Sequence, residues 1–291
     1  MKSNPRQMVK SLEARWSAIV LTLFISTGCS DMGFPEYIKL DNLRIVALIL
    51  DSPEVAAGGT VNVTPVVSDY NATRTLTFVA EACPDPGLVL GRDPTCDGHP
   101  LKVSVGSGNV VFPVAQQATN RTGLTTALAA ITVPATLTTG LSADSQFNGV
   151  FYLVTYTVTA SDGTRVKSFA RIRVSNKTTK NTNPTITDVL ANGSSLTTMP
   201  TSDAYVAISY SGTSKESFVY QRSDGTQTTQ TETLSTTWFY TAGAMKFYRT
   251  VDAENNTFTP TSSSAPTGLN HVILVITRDG REGTAAAVRF L

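Results

Sequence analysis

The chain has 291 residues, 41% of them hydrophobic and only 15% charged, and its 23 basic and 22 acidic side chains leave a net charge of +1. A length of this order holds one to three domains, and a near-neutral balance gives no electrostatic footprint for nucleic acid and no polybasic patch for anionic lipid. Few charges with abundant Thr, Ser, Ala and Val suit an all-β protein solvated by hydroxyls, and no window beyond the N-terminus sustains a 3.6-residue apolar period.

The first 28 residues have the three parts of a secretory signal. Lys2, Arg6, Lys10 and Arg15 form a basic leader opposed by Glu13, an apolar run extends from Trp16 to Ile25, and Ser26, Thr27 and Gly28 are small. The run falls well short of the ~20 residues that span a bilayer. Gly28-Cys29 at its end resembles the lipobox of bacterial lipoproteins, with Ser26 at the −3 position where Leu is usual. The resemblance implies that the Cys29 thiol receives a diacylglyceryl group, that residues 1–28 are removed and that the new amino terminus is acylated. Ser30 after the cysteine, in place of Asp, implies by the same resemblance an outer-membrane destination. Plain cleavage is the alternative. It would leave Cys29 as a lone thiol in an oxidising compartment, since Cys83 and Cys96 can pair with each other. Removing the leader takes four basic residues and one acidic residue, so the mature chain carries −2. Two or more acyl chains, at ~0.8 kcal/mol per buried CH₂, would hold it firmly on a membrane.

Residues 29–40, with Gly33 and Pro35, read as a lipidated tether. A first domain over 41–175 opens with the nearly continuous apolar run Leu43–Leu50, and Pro53 and Gly58-Gly59 punctuate the stretch after it. Val61, Val63 and Val67 predict a half-buried strand, as do Leu76, Phe78 and Ala80. Cys83 to Cys96 encloses a Pro/Gly-rich loop, for which a disulfide is expected in an exported protein, worth ~3 kcal/mol in the chain-entropy model. Shorter strands are expected at Leu101–Val105, Val110–Val114 and Leu128–Val133, with a turn of helix within Gln116–Leu128. Phe151–Ala160 and Arg165–Ser175 alternate on either side of Asp162-Gly163, a strong hairpin pattern.

The polar stretch Asn176–Asn183, ended by Pro184, reads as a linker (176–184) to a second domain over 185–291. Strands are expected there at Thr185–Leu190, Tyr205–Tyr210, Phe218–Gln221, Thr226–Leu234, Thr237–Tyr240, Val272–Thr277 and Thr284–Leu291. The two domains end alike. Aligning their terminal Asp-Gly hairpins sets Arg165 with Arg281, Ala170 with Ala286, Ile172 with Val288 and Arg173 with Arg289, which argues for two copies of one domain type.

Short strands at this spacing point to two tandem β-sandwiches. Leu43–Val67 resembles the opening of bacterial immunoglobulin-like lipoprotein domains. Trp238-Phe239-Tyr240-Thr241-Ala242-Gly243, Arg249-Thr250, Asn256–Pro260 and Asp279–Gly283 look like the closing half of such a domain. The resemblance implies an immunoglobulin-like fold for both units and transfers no activity.

Little in the chain suggests catalysis. His99 and His271 lie in no zinc-binding spacing, no nucleophile-elbow motif occurs, and no cofactor signature is present. Asp252-Ala-Glu254-Asn255-Asn256 gathers oxygen ligands of the kind calcium takes, but those residues also suit turns. Of the aromatics Trp238, Phe239, Tyr240, Phe247 and Tyr248, alternate ones along a strand should fill the core, so at least one of Trp238, Phe239 and Tyr240 is expected to face a ligand. The expectation is a non-enzymatic, lipid-anchored cell-envelope protein that presents immunoglobulin-like domains for protein interaction, adhesion or structural support. Another envelope or surface protein is the expected partner, with the second domain, the free end of the chain, as the contact surface. The alternative is a carbohydrate-binding module that uses those aromatics.

Overall fold

The computed structural model describes residues 37–87, 89–113, 121–261 and 271–291. Residues 1–28, expected from the sequence to be a signal segment, and Cys29 lie outside the described residues. Ile38–Leu291 forms one compact unit, and among the described residues no helix is long and apolar enough to cross a membrane.

In chain order the first half contains β1 (Arg44–Leu50), β2 (Glu54–Val55), β3 (Thr60–Asp69), β4 (Leu76–Pro84), β5 (Val103–Asn109), β6 (Arg121–Leu124), β7 (Ala129–Thr132), the single-turn helix α1 (Ala143–Asn148), β8 (Val150–Ala160) and β9 (Arg165–Val174). The second contains β10 (Ile186–Ala191), β11 (Ser194–Ser195), β12 (Ala204–Tyr210), β13 (Ser217–Gln221), β14 (Gln227–Thr231), β15 (Ser235–Tyr240), β16 (Ala244–Met245), β17 (Arg249–Val251), β18 (Asn256–Thr259), β19 (Val272–Arg278) and β20 (Thr284–Phe290). The fold is all-β and sandwich-like, as the spacing of alternating runs predicts. Of the stretch 116–128, where a turn of helix is expected, Arg121–Leu124 forms a strand that completes the ladder on β3, and residues 116–120 lie outside the described residues. Among the described residues a short helix forms at α1.

Two sheets enclose the first core. One has β3 between β1 on one side and β6 and β7 on the other, and the second runs β2-β9-β8-β4-β5. Leu48, Leu50, Val61, Val63, Phe78, Tyr156 and Ile172 meet between them. A second pair, β11-β10-β12-β18-β16 and β17-β15-β19-β20, encloses Val189, Val206, Trp238, Tyr240, Phe258, Ile273 and Val275. The Cys83–Cys96 disulfide is formed, its Cα atoms 5.7 Å apart, and is buried against Leu153 on the outward face of its sheet.

A third core joins the halves. Val46 and Ala47 of β1 and Val66 of β3 pack against Phe239 of β15 and Val272, Leu274 and Ile276 of β19, with Leu40 beside them. The inner sheet of one sandwich therefore lies on the inner sheet of the other, giving four layers of sheet and three cores. Successive side chains of a strand point to opposite faces. In β19, Ile273 and Val275 enter the second core while Val272, Leu274 and Ile276 enter the third. The unbroken apolar sequence of that strand is what two buried faces require.

The N-terminal entry reinforces the junction. Tyr240 N–H donates to Ile38 O at 3.1 Å and Leu40 N–H to Tyr240 O at 2.8 Å, so the chain runs along the end of β15 before crossing to β1. The segment 176–183 runs through the same junction, with Asn181 buried. Its Nδ2 donates to Asp279 Oδ2 at 2.8 Å and to Arg281 O at 3.0 Å.

Leu274 lies on the face of its sheet turned away from its own sandwich core. Leu274→Ala is expected to cost about 2–5 kcal/mol and to leave a single cooperative transition in denaturant titration. A cost near zero would mean the two sheets are not in contact.

Candidate functional site

Trp238, Phe239 and Tyr240 are 0%, 2% and 3% exposed, which corrects the expectation that one of them faces a ligand. Trp238 and Tyr240 fill the second core, and Phe239, on the opposite face of β15, fills the third. The Trp238 Nε1–H donates to Thr250 Oγ1 at 2.9 Å, so even its polar atom is satisfied inside. Alternation alone would leave Phe239 in water; the neighbouring sandwich covers it.

The exposed aromatics of the second half are elsewhere. Tyr205, Tyr220, Phe247 and Tyr248 are 68%, 44%, 48% and 62% exposed. Tyr205 stands opposite Thr257 on the outward face of its sheet, and Lys246 N–H donates to Thr257 O at 2.9 Å, placing Lys246 on the other side of Thr257. The Lys246 ammonium lies 5.2 Å from the centre of the Phe247 ring. Residues 246–248 form a corner between the two sheets of this sandwich. At one end they pair with β18, and at the other Trp238 N–H donates to Tyr248 O at 3.0 Å.

The corner is held by Asn256, which is only 1% exposed. Its Nδ2 donates to Phe247 O at 2.7 Å, and its Oδ1 accepts from Phe247 N–H at 3.0 Å and Thr257 N–H at 2.9 Å. A buried amide with this many partners fixes a backbone tightly, since losing one leaves a desolvated group unpaired. The neighbouring oxygen cluster is structural too. Asp252 accepts from Leu234 N–H at 3.0 Å and from Lys215 Nζ at 2.8 Å, contacts that hold its carboxyl below the usual range, the Lys215 hydrogen bond first among them. Glu254 accepts from Val251 N–H at 3.0 Å. Among the described residues no group of three or more potential ligands could hold a metal ion.

Charge concentrates at the junction of the halves. Arg281, on the β19–β20 turn, donates to Glu54 at 3.0 Å and to Glu232 at 2.9 Å, and its guanidinium lies 4.3 Å from the centre of the Phe218 ring. Glu54, Glu232 and Arg281 are buried. Burial pushes the Glu232 carboxyl up from its ordinary value. Arg165, which the hairpin alignment sets beside Arg281, is exposed on β9. Ser175 Oγ donates to Glu54, and Lys180 Nζ is 3.1 Å from Ser175 Oγ. Desolvation lowers the lysine's pKa. The hydroxyl gives its one proton to Glu54 and accepts from Lys180, so the amine does not act as its base, and the contact joins residues too ordinary in sequence to attract notice. Ser175 is also fully buried. The cluster ties the connector to β2 and the β19–β20 turn. His99 Nδ1 accepts from Leu101 N–H at 3.1 Å and serves its own loop.

No family model matches the chain, and no curated protein matches it. Among solved structures it is similar to a red sea bream transglutaminase (8% identity, TM-score 0.27, 86% of this chain and 31% of that one). It is also similar to a dimeric latent PorU from Porphyromonas gingivalis (11%, 0.23, 90% and 25%) and to the adhesin InvE of Yersinia pseudotuberculosis (12%, 0.20, 86% and 60%). The chain spans less than two thirds of the length of each.

Replacing Arg281 with Ala leaves Glu54 and Glu232 buried without their cation, and is expected to cost about 3–5 kcal/mol at neutral pH. A carboxyl whose folded pKa is raised contributes stability below its unfolded value and loses it as pH rises through the folded one. The deficit of the variant should therefore narrow as pH falls from 7 towards 4.5, read from denaturant midpoints. A deficit independent of pH would show that the Glu232 carboxylate is not its source.

Proposed function

We propose that this protein is a non-enzymatic, lipid-anchored component of the bacterial cell envelope, held through Cys29, whose second sandwich binds another envelope protein at the Lys246–Tyr248 corner. The carrying observation is the buried Asn256, which holds the Phe247 backbone through both of its side-chain polar atoms while the adjoining rings stay in water. A rigid backbone presenting aromatic side chains beside a cation loses little entropy on binding, and such residues dominate protein interfaces.

The site of chain entry supports a partner near the same membrane. Ile38 joins β15 at Tyr240, two residues from the Trp238 that bonds Tyr248, so the corner lies close to the entry point. Eight residues separate Cys29 from Ile38, and such a tether reaches at most about 30 Å. A glycan ligand is the second reading. It is favoured by Tyr205, which stands in a row with Thr257 and so sets a ring beside a hydroxyl on a flat face.

Two measurements separate the parts of this proposal. Cys29→Ala is expected to abolish incorporation of labelled fatty acid and to release the protein from membranes; incorporation that persists would exclude the anchor. Photo-crosslinking on intact cells from position 248 is expected to capture one envelope protein, with capture lost in Phe247→Ala. Binding of the full chain to purified glycans, lost in Tyr205→Ala and without a protein crosslink, would replace the protein reading with the glycan one.

A further inference from the structure

The hairpin β13–β14 forms a sheet of its own. Isolated two-stranded sheets are marginal in water, and three or more strands are normally needed. This one is supported at its base and along one side. Glu232, directly after β14, accepts from Glu216 N–H at 2.9 Å through Oε2 and pairs with Arg281 through Oε1. Along the outer edge of β13, the Asn148 side chain acts as a short piece of strand. Its Nδ2 donates to Gln221 O at 2.6 Å, and its Oδ1 accepts from Gln221 N–H at 2.9 Å.

The other edge has no strand partner among the described residues. Arg222 N–H donates to Thr226 O and Glu232 N–H to Glu216 O, which fixes the phase of the ladder, since hydrogen-bonded and non-bonded pairs alternate in an antiparallel sheet. Gln221↔Gln227, Val219↔Thr229 and Ser217↔Thr231 are therefore the non-bonded pairs. On β14 the N–H and C=O groups of Gln227, Thr229 and Thr231 point away from β13, and among the described residues no strand pairs with them. All of β14 is exposed except the half-buried Thr228.

Sheet edges are ordinarily blunted by charge, proline, bulges or shortness. The edge of β9 carries Arg165, Lys167, Arg171 and Arg173, and β5 has a bulge against β4 and two glycines. Strands β11, β16 and β17 have two or three residues each. β14 has none of these devices, since Gln-Thr-Thr-Gln-Thr contains no charge, proline or glycine. It is also self-complementary. Laid antiparallel on a second copy about a two-fold axis through Thr229, it sets Thr229 opposite Thr229, Gln227 opposite Thr231 and Thr228 opposite Gln230. That register turns the outward groups of Gln227, Thr229 and Thr231 into three hydrogen-bonded pairs, and every side-chain pair is uncharged.

We infer that β14 is a dimerisation edge, at which two copies of this chain join their hairpins into one four-stranded antiparallel sheet. Strand addition of this kind draws affinity from main-chain hydrogen bonds and specificity from register. The inference does not depend on any ligand of the aromatic corner.

Sedimentation equilibrium of the full chain, in density-matched detergent well in excess of protein, is expected to show a concentration-dependent dimer. Thr229→Pro removes an outward N–H at a position where an edge strand tolerates proline. Thr229→Lys places two like charges on the two-fold axis. Each should raise the dimer dissociation constant about tenfold or more with little change in melting temperature, and the lysine variant keeps the test intact where the proline variant does not fold. Hydrogen-bonded antiparallel partners have Cα atoms about 5.5 Å apart, within disulfide range. Thr229→Cys should therefore crosslink covalently under oxidation, and Thr228→Cys should not. A monomer at about 100 µM, a dimer indifferent to both substitutions, or a dimer in which Thr229→Cys stays uncrosslinked would overturn the inference.

Discussion

Apolar side chains on both faces of β1, β15 and β19 have to leave water, and a single sandwich can cover only one face of each. The third core resolves this. Leu274 and Ile276 from one half and Val46 and Ala47 from the other bury the surfaces their own sandwiches leave uncovered. Hydrophobic burial is non-directional, so this packing brings the sheets together without setting their register. The geometry is fixed at the rim, where directional contacts begin. At one such place Ile38–Leu40 extends the edge of β15, and at another the connector meets the Asp279–Gly283 turn.

The Arg281 cluster belongs to that second class. A buried ion pair seldom stabilises more than a well-packed apolar replacement would, because desolvation offsets most of the Coulomb attraction. Its effect here is positional. One guanidinium spans Glu54 of the first half and Glu232 at the foot of the β13–β14 hairpin, and it stacks on Phe218 from the hairpin itself. Asn148 then supports the hairpin from the first half. The hairpin is thus held by both sandwiches, and its direction is set by the same contacts that determine how the halves meet.

Much of the fold is legible in particular residues. The unbroken apolar runs at Val46–Leu50 and Val272–Ile276 mark strands buried on both sides, and the Asp162-Gly163 and Asp279-Gly280 turns mark two hairpins that the structure contains. Alternation misreads the Trp238-Phe239-Tyr240 triplet because it assumes one wet face, and a single strand's sequence does not reveal what lies beyond that face. Asn181 reads as linker because its burial depends on Asp279, nearly a hundred residues away. Asn256 reads as a turn residue or cation ligand, and only the fold brings Phe247 to its amide. In each case the missing information is a long-range contact between residues with ordinary local preferences. The Phe247–Tyr248 pair is visible as aromatic sequence, yet its exposure results from a strand exchange between sheets that has no local signature.

A stack of four sheets leaves few surfaces for recognition. Its three interlayer spaces are filled by the cores, so contact with other molecules falls to the two outermost faces, the strand edges and the corners where the chain changes sheet. The outer face of the first sandwich is partly covered by the loop that the Cys83–Cys96 disulfide closes. The long edge at β9 is charged. The second sandwich keeps its corner at Phe247–Tyr248 exposed and fixes it through a buried amide, while the hairpin carries an uncharged edge outward from a base embedded in ions. In both features a rigid, fully hydrogen-bonded interior supports groups left in water. Strengthening the interior contacts would not cover those groups, so the exposure is a consequence of how the chain is threaded and is independent of how tightly it packs.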